Sequence, residues 1–415
     1  MTNLLSNLRC DRNRTGTTLV VFFIVSLFFY RCSVPPADLN EIDLDAIDEQ
    51  VMVLEASVKA VQFEMTMESG ETGKIMPRSI SENGELVLVQ PGDWTSGFYP
   101  GMLWYMYELT GYDSWRDIAL EYTEKLENQM YNASNHDVGF RMFCSYGNAL
   151  RVTGDSSYIP ILVQSAKTLI SRYNGKVGCI RSWDFNTDVW QYPVIIDNMM
   201  NLELLFWATE QTGDPIYREI ALRHANTTLE NHFRPDYSSF HVVDYDTISG
   251  EVRGKYTHQG FSPGSVWARG QSWGLYGYTM SYRFTRDPAY LEVAEGIARY
   301  LLNHPNLPKD RIPYWDYDAP RLRREPRDAS AAAIMASALY ELSDYTDDGE
   351  YFRERADWIM ESLSSGEYRS PDGENFGFLL DHSTGGLPQN SEIDVPLIYG
   401  DYYYLEALLR RMGKL

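Results

Sequence analysis

The strongest constraint on how this chain folds is an alternation of two kinds of helical segment, one apolar all round and one charged along a single face. The clearest of the first kind lies in Tyr192–Gly213, YPVIIDNMMNLELLFWATEQTG. Here Val194 to Thr209 is interrupted by little more than Asp197, Asn198, Asn201 and Glu203. A helix that is apolar on every side is buried, and one of this length is too short to span a bilayer. The stretch is therefore predicted as an interior helix of a large soluble protein. Asp197, near its first turn, has an ordinary explanation as a cap that complements the positive end of the helix dipole.

The same grammar recurs along the chain. Apolar segments end in Leu109-Thr110-Gly111-Tyr112, Val152-Thr153-Gly154-Asp155, Gln211-Thr212-Gly213-Asp214, Phe284-Thr285-Arg286-Asp287 and Tyr345-Thr346-Asp347-Asp348, and an amphipathic helix follows each. Gly or Asp at these places supplies the end of one helix and the cap of the next. The amphipathic helices are predicted at about 40–66, 115–130, 158–173, 215–232, 288–303 and 351–364. The apolar ones begin near Trp94, Asp137, Asp197, Arg269, Asp328 and Tyr402. Irregular spacing excludes a solenoid of equal units. Six inner and six outer helices in alternation predict an all-α fold, an (α/α)6 barrel, in which the inner helices run the same way and start at one rim. Short strands are expected in rim loops, at 84–90 and 239–257.

Charge and composition narrow the partners. A net charge of −22 excludes nucleic acid, which needs a basic footprint. An anionic substrate would instead need local basic residues. The 30 Tyr and 10 Trp suit a core rich in aromatics with some left over for sugar faces. No metal spacing such as HExxH or paired CxxC occurs, so neither metal nor cofactor is expected. At the N-terminus, Arg9, Arg12 and Arg14 precede the apolar run Thr17–Tyr30, the pattern of an export leader. Residues 1–32 are read as that leader, 33–40 as a linker and 41–415 as a single catalytic domain of an exported, periplasmic protein. Cys32 is the candidate for lipid attachment and the one expected link to a membrane, with a simply cleaved leader as the alternative. Once the leader is removed, at most Cys32, Cys144 and Cys179 remain, too few for a disulfide framework.

The starts of the inner helices carry the chemistry. Asp93-Trp94 precedes the first, His136-Asp137 the second, and Asp197 lies in the third. A long loop with His241, His258 and Gln259 leads into Arg269, Gln271 and Trp273 of the fourth. Arg327-Asp328 opens the fifth, and the sixth follows Asp401. Capping accounts for the aspartates but not for Trp94, His241, Gln259 or Trp273. Gly260-Phe261-Ser262-Pro263-Gly264 matches a nucleophile elbow, but that elbow needs a strand before it and a helix directly after, and a Pro follows this Ser.

At these residues the chain resembles the unsaturated glucuronyl hydrolases, glycoside hydrolase family 88. The likeness is carried by WTSGFYPGMLWYMYELTG (94–111), HDVGFRMFCSYGNALRVTGD (136–155), IIDNMMNLELLFWATEQTGD (195–214), THQGFSPGSVWARGQSWGLYGY (257–278), IPYWDYDAP (312–320), RDASAAAI (327–334) and DVPLIYGDYYYLEALLR (394–410). The unsaturated rhamnogalacturonyl hydrolases share the paired acids and are the alternative; a sugar-binding protein that lost catalysis, and an epimerase using a histidine pair, are others. The resemblance implies a substrate made by polysaccharide lyases, an oligosaccharide ending in a 4,5-unsaturated uronic acid. It implies Asp197 as the acid that protonates C4 and then the base that activates water for C5. Asp137 would hold ring hydroxyls and help keep Asp197 protonated. His241 and Gln259 would approach the unsaturated ring and the water, and Arg269 the sugar. Trp94 and Trp273 would stack on sugar rings, His136 would orient Asp137 or touch substrate, and Trp183 and Trp315 would be further platforms. Family members that prefer sulfated substrates carry a Ser- and Lys-rich segment in the last rim loop; here that loop reads DHSTGGLPQNSEIDVP, with Ser383 but no Lys.

Overall fold

Each of the five marked turns is built around its threonine. The hydroxyls of Thr110, Thr153, Thr212, Thr285 and Thr346 each accept the backbone N–H two residues on. Gly111, Gly154 and Gly213 end their helices in the left-handed region, as does Arg286. Asp155, Asp214 and Asp287 then cap the following segment by accepting a backbone N–H. A helix end, a reversal and a new cap are thus encoded within four residues.

The computed structural model describes residues 43–69 and 73–415, within one compact unit, Leu39–Leu415. The leader, the linker and Cys32 lie outside the described residues. In chain order, the amphipathic α1 (Leu44–Ser69) precedes the apolar α2 (Phe98–Thr110), and α3 (Asp113–Glu124) follows outside. The second inner helix is composite: α4 (Val138–Met142), a π-helical turn Phe143–Gly147, and α5 (Asn148–Thr153). Next come outer α6 (Ile159–Ile170), inner α7 (Leu202–Thr212), outer α8 (Pro215–His232), inner α9 (Ala268–Thr285) and outer α10 (Pro288–Asn303). Inner α11 (Ala329–Ser343), outer α12 (Gly349–Leu363) and inner α13 (Ile398–Arg411) complete the chain. The inner helices touch in sequence from α2 round to α13, and α13 packs back on α2, so the ring closes as an (α/α)6 barrel.

Three inner-helix starts differ from the sequence reading, all at the rim, and the first is at Phe98 rather than near Trp94. Val194 and Ile195, at the head of the apolar stretch read as helical, belong instead to a strand, Pro193–Ile195. It is followed by a 3-10 turn, Ile196–Asn201, before α7 begins. The strand pairs antiparallel with Val242–Tyr245, which pairs in turn with Val252–Tyr256. A tertiary partner 50 residues downstream decided between strand and helix for a short apolar run that suits either. The sixth inner helix begins at Ile398 rather than Tyr402. Asp401 therefore lies inside its first turn, where the carboxylate accepts the N–H groups of Leu379 and Leu380. The expected strand at 84–90 is Leu86–Val89, paired with Met76–Ile80. A hairpin of Ser383–Gly386 and Ser391–Val395 had no counterpart in the sequence reading.

Candidate active site

The irregular start of the third inner helix places Asp197. With Ile195 opposite Val242, continuation of the pairing brings His241 beside Ile196, whose N–H donates to the His241 carbonyl. The ring of His241 then faces the acid, with Nε2 3.8 Å from Asp197 Oδ2. Ser182 ties this strand to the second inner helix. Its hydroxyl accepts Ile195 N–H, and its carbonyl accepts His136 N–H. A second tie is the Asn201 Oδ1, which accepts the N–H of Phe140 at 3.1 Å. Asp137 and Asp197 are thus held in fixed relation by hydrogen bonds from the backbone N–H groups on both sides.

Both carboxylates line one pocket of about 510 Å³ at the inner-helix N-termini, in the range of a small-ligand site. Trp94, His136, Gln259 and Arg269 line it as well. Asp197 is 9% exposed, and its Oδ2 is buried without a hydrogen-bond partner. Burial pushes its carboxyl up to about 7; Arg269 opposes that rise, and Asp137 adds a smaller upward contribution. The sequence reading had put the weight on the second acid, whereas desolvation is the larger cause. Nε2 of His136 stands 3.3 Å from Asp137 Oδ1, and burial holds this histidine below its usual range, against the pull of Asp137.

Other expected residues have duties within the protein. Arg269 is 1% exposed, bonded to Asp328 at 2.7 Å and to the Thr384 and Gly385 carbonyls, with Trp267 and Tyr399 against its guanidinium. It pins the 383–395 hairpin onto the rim while presenting positive charge to Asp197. Gln259 donates to the Gly385 carbonyl from the other side. Trp273, expected as a sugar platform, is 1% exposed and packs against Phe140 and Tyr403 in the core. Its neighbours on both faces leave no surface for a sugar. Trp315 is likewise buried, against Trp267, with its N–H on Glu325. Ser383 is buried too and accepts the N–H of Ser330, so its hydroxyl is a structural one.

Of the remaining pocket wall, Trp183 and His258 were named from the sequence, and Phe185, Arg78 and Glu392 were missed. Trp183 and Phe185 stack at 4.8 Å and 17°, with Phe185 47% exposed, and His258 lies against both rings. Arg78 lines the wall with Glu392, the two joined through Nε at 2.6 Å and Nη2 at 2.9 Å, while Nη1 reaches Asp93. No local pattern marks Arg78, because its partner lies 314 residues away. A π-stacked pair near two acids suits a pyranose ring. Among the described residues no group of three His, Cys, Asp or Glu side chains is placed to hold a metal ion.

Comparison with known proteins gives the family. Residues 70–284 match the model of Glycosyl Hydrolase Family 88. An unsaturated glucuronyl hydrolase of Formosa agariphila is 55% identical over 339 residues, covering 81% of this chain and 84% of that protein. The crystal structure of an unsaturated glucuronyl hydrolase specific for heparin superposes with a TM-score of 0.83 at 49% identity, covering 90% of this chain and 98% of the other. A related enzyme solved with dGlcA-Glc-Rha-Glc gives 0.78 at 31% identity, covering 88% and 95%. The chain belongs to glycosyl hydrolase family 88.

Proposed function

We propose that this protein removes the 4,5-unsaturated uronic acid from the non-reducing end of oligosaccharides left by polysaccharide lyases. The observation that carries the reading is Asp197: a buried carboxyl with a free oxygen, held protonated up to about 7, beside a second acid in a pocket of sugar size. A general acid working near neutral pH needs such an environment. Asp197 gives its proton to C4 of the vinyl ether, and positive charge develops at C5, shared with the ring oxygen. The Asp197 carboxylate then takes a proton from water as that water adds to C5. The resulting C5 hemiketal opens to a ketone, which leaves a hemiacetal at C1, and that hemiacetal collapses to an aldehyde and releases the rest of the sugar chain as an alcohol. Asp137 holds ring hydroxyls, and Trp94 with the Trp183–Phe185 pair provides aromatic faces. The basic residues and apolar run before Cys32 support action outside the cytoplasm.

Turnover of an unsaturated uronyl disaccharide in heavy water tests the chemistry. The expected product carries one deuterium at C4, and oxygen from labelled water enters at C5. Label at the anomeric carbon with C4 unlabelled would mean ordinary glycoside hydrolysis and sink the reading.

A further inference from the structure

The Nδ1 atom of His241 accepts two backbone N–H groups, from His258 at 3.0 Å and Gln259 at 3.1 Å. Amide N–H groups only donate, so Nδ1 must carry a lone pair and the ring proton must sit on Nε2. Protonating Nδ1 would aim an N–H at two others and break both bonds in a site that is 4% exposed. The surroundings also disfavour a cation: burial acts first, followed by His258, Arg269, His232 and His136, all lowering the affinity for a second proton. Among the described residues, Asp197 is the acid that pairs with the ring; Trp267 lies tilted against it at 4.5 Å, and Trp183 meets it edge-on at 6.3 Å. At 3.8 Å, His241 Nε2 and Asp197 Oδ2 face each other buried, each without a hydrogen-bond partner.

We infer that His241 is a permanently neutral donor whose Nε2–H serves the Asp197 carboxylate only after that acid has given up its proton. The inference rests on the proposed acid role of Asp197. While Asp197 is protonated, the pair stays beyond bonding distance. As the Asp197 proton moves to C4, charge appears on the carboxylate, and closing the gap by about 1 Å forms a charge-assisted bond. When the carboxylate later takes a proton from water, the bond relaxes. No proton leaves His241 at any stage; it is a positioning residue acting through Asp197, and it stabilises the transition state more than the ground state. The backbone of His258-Gln259 becomes part of the machinery, because those two amides fix the tautomer.

Two measurements test this. In protein carrying ring-15N histidine, the His241 signals are identified by their loss in His241→Met. They are expected to show a bare Nδ1 and a protonated Nε2, unmoved between about pH 5 and 8, where an ordinary imidazole titrates. A proton on Nδ1, or titration in that span, overturns the inference without reference to activity. In kinetics, His241→Met is expected to lower kcat by about 100-fold with KM little changed. The fall of kcat/KM at high pH should shift upward, since Asp197 loses a donor to its charged form. His241→Gln, which retains an N–H near Nε2, should recover part of kcat. If a folded His241→Met, or His241→Leu where the former does not fold, keeps both wild-type kcat and the wild-type pH limb, the inference fails. Turnover by Asp197→Asn at the wild-type rate would instead overturn the acid assignment and leave the tautomer result standing.

Discussion

The two mouths of the barrel both bury carboxylates and treat them in opposite ways. At the rim where the inner helices start, Asp197 has a free oxygen and burial raises it to about 7. At the other mouth, a cavity of about 710 Å³ is floored by Glu203, Glu406, Arg283 and Arg410, with Glu341 behind them. Arg410 meets Glu341 at 2.6 Å, Arg283 meets Glu203 at 2.5 Å, and Glu406 accepts hydroxyls from Tyr105, Tyr276 and Ser337. Burial would raise Glu341, but Arg283 and Arg410 outweigh it and the acid is held below its usual range. Glu203 at the same mouth is raised by burial even though Arg283 bonds it. Burial therefore does not by itself produce a working acid; what sets Asp197 apart is an oxygen at the pocket that no guanidinium or amide occupies. Asp401 makes the same point differently: it too rises to about 7 through burial, yet two backbone N–H groups occupy it and it lies off the pocket.

The sharpest test of this contrast is Asp197→Asn. It should cut turnover on the order of 10³-fold or more, followed as loss of the ultraviolet absorbance of the conjugated alkene acid. In the wild type, kcat/KM should fall as pH rises through about 7, because the acid form is then lost. Next in size is Arg410→Met at the opposite mouth. Removing one partner of a buried ion-pair network should cost about 3 kcal/mol in denaturant unfolding while leaving kcat near wild type. An equal loss of activity in a variant that remains folded would break the division between the mouths.

An effect of comparable size has the opposite sign. The folded carboxyl of Asp197 titrates near 7, above its unfolded value, so its contribution to stability is complete at low pH and disappears as pH rises through 7. Asp197→Asn should therefore be more stable than wild type by up to about 4 kcal/mol at pH 8, with the difference vanishing toward pH 4. A thermal unfolding series across pH reads this directly. Smallest of all, Trp94→Leu should lower kcat/KM about tenfold through loss of an aromatic face, with little change in fold. Trp273→Leu should act mainly on stability, because that indole is enclosed by Phe140 and Tyr403.

How much could be read in advance follows from the range of each interaction. The helical hairpins were legible because their signals are local: a Thr bonding two residues ahead, a left-handed Gly, an Asp cap. The acids and histidines at the helix starts were legible as residue types in a repeated place. Trp273 and Trp315 were misread as platforms because a tryptophan near a rim looks the same in sequence whether its ring turns to the pocket or to the core. Arg78 and Glu392 gave no signal, since each makes sense only with the other.

Alone, the sequence determined the alternating helices, the closed ring they must form to bury their apolar faces, and the rim that gathers the chemistry. Only the tertiary structure decided which of those rim groups is free to react. The strand pairing that sets His241 beside Asp197 and the amides that fix its tautomer join residues far apart in the chain. So do the arginine bonds that hold the 383–395 hairpin. The physical reason is that a carboxyl's acidity and a histidine's proton depend on which dipoles and charges lie within a few ångströms, and periodicity along the chain does not encode that distance.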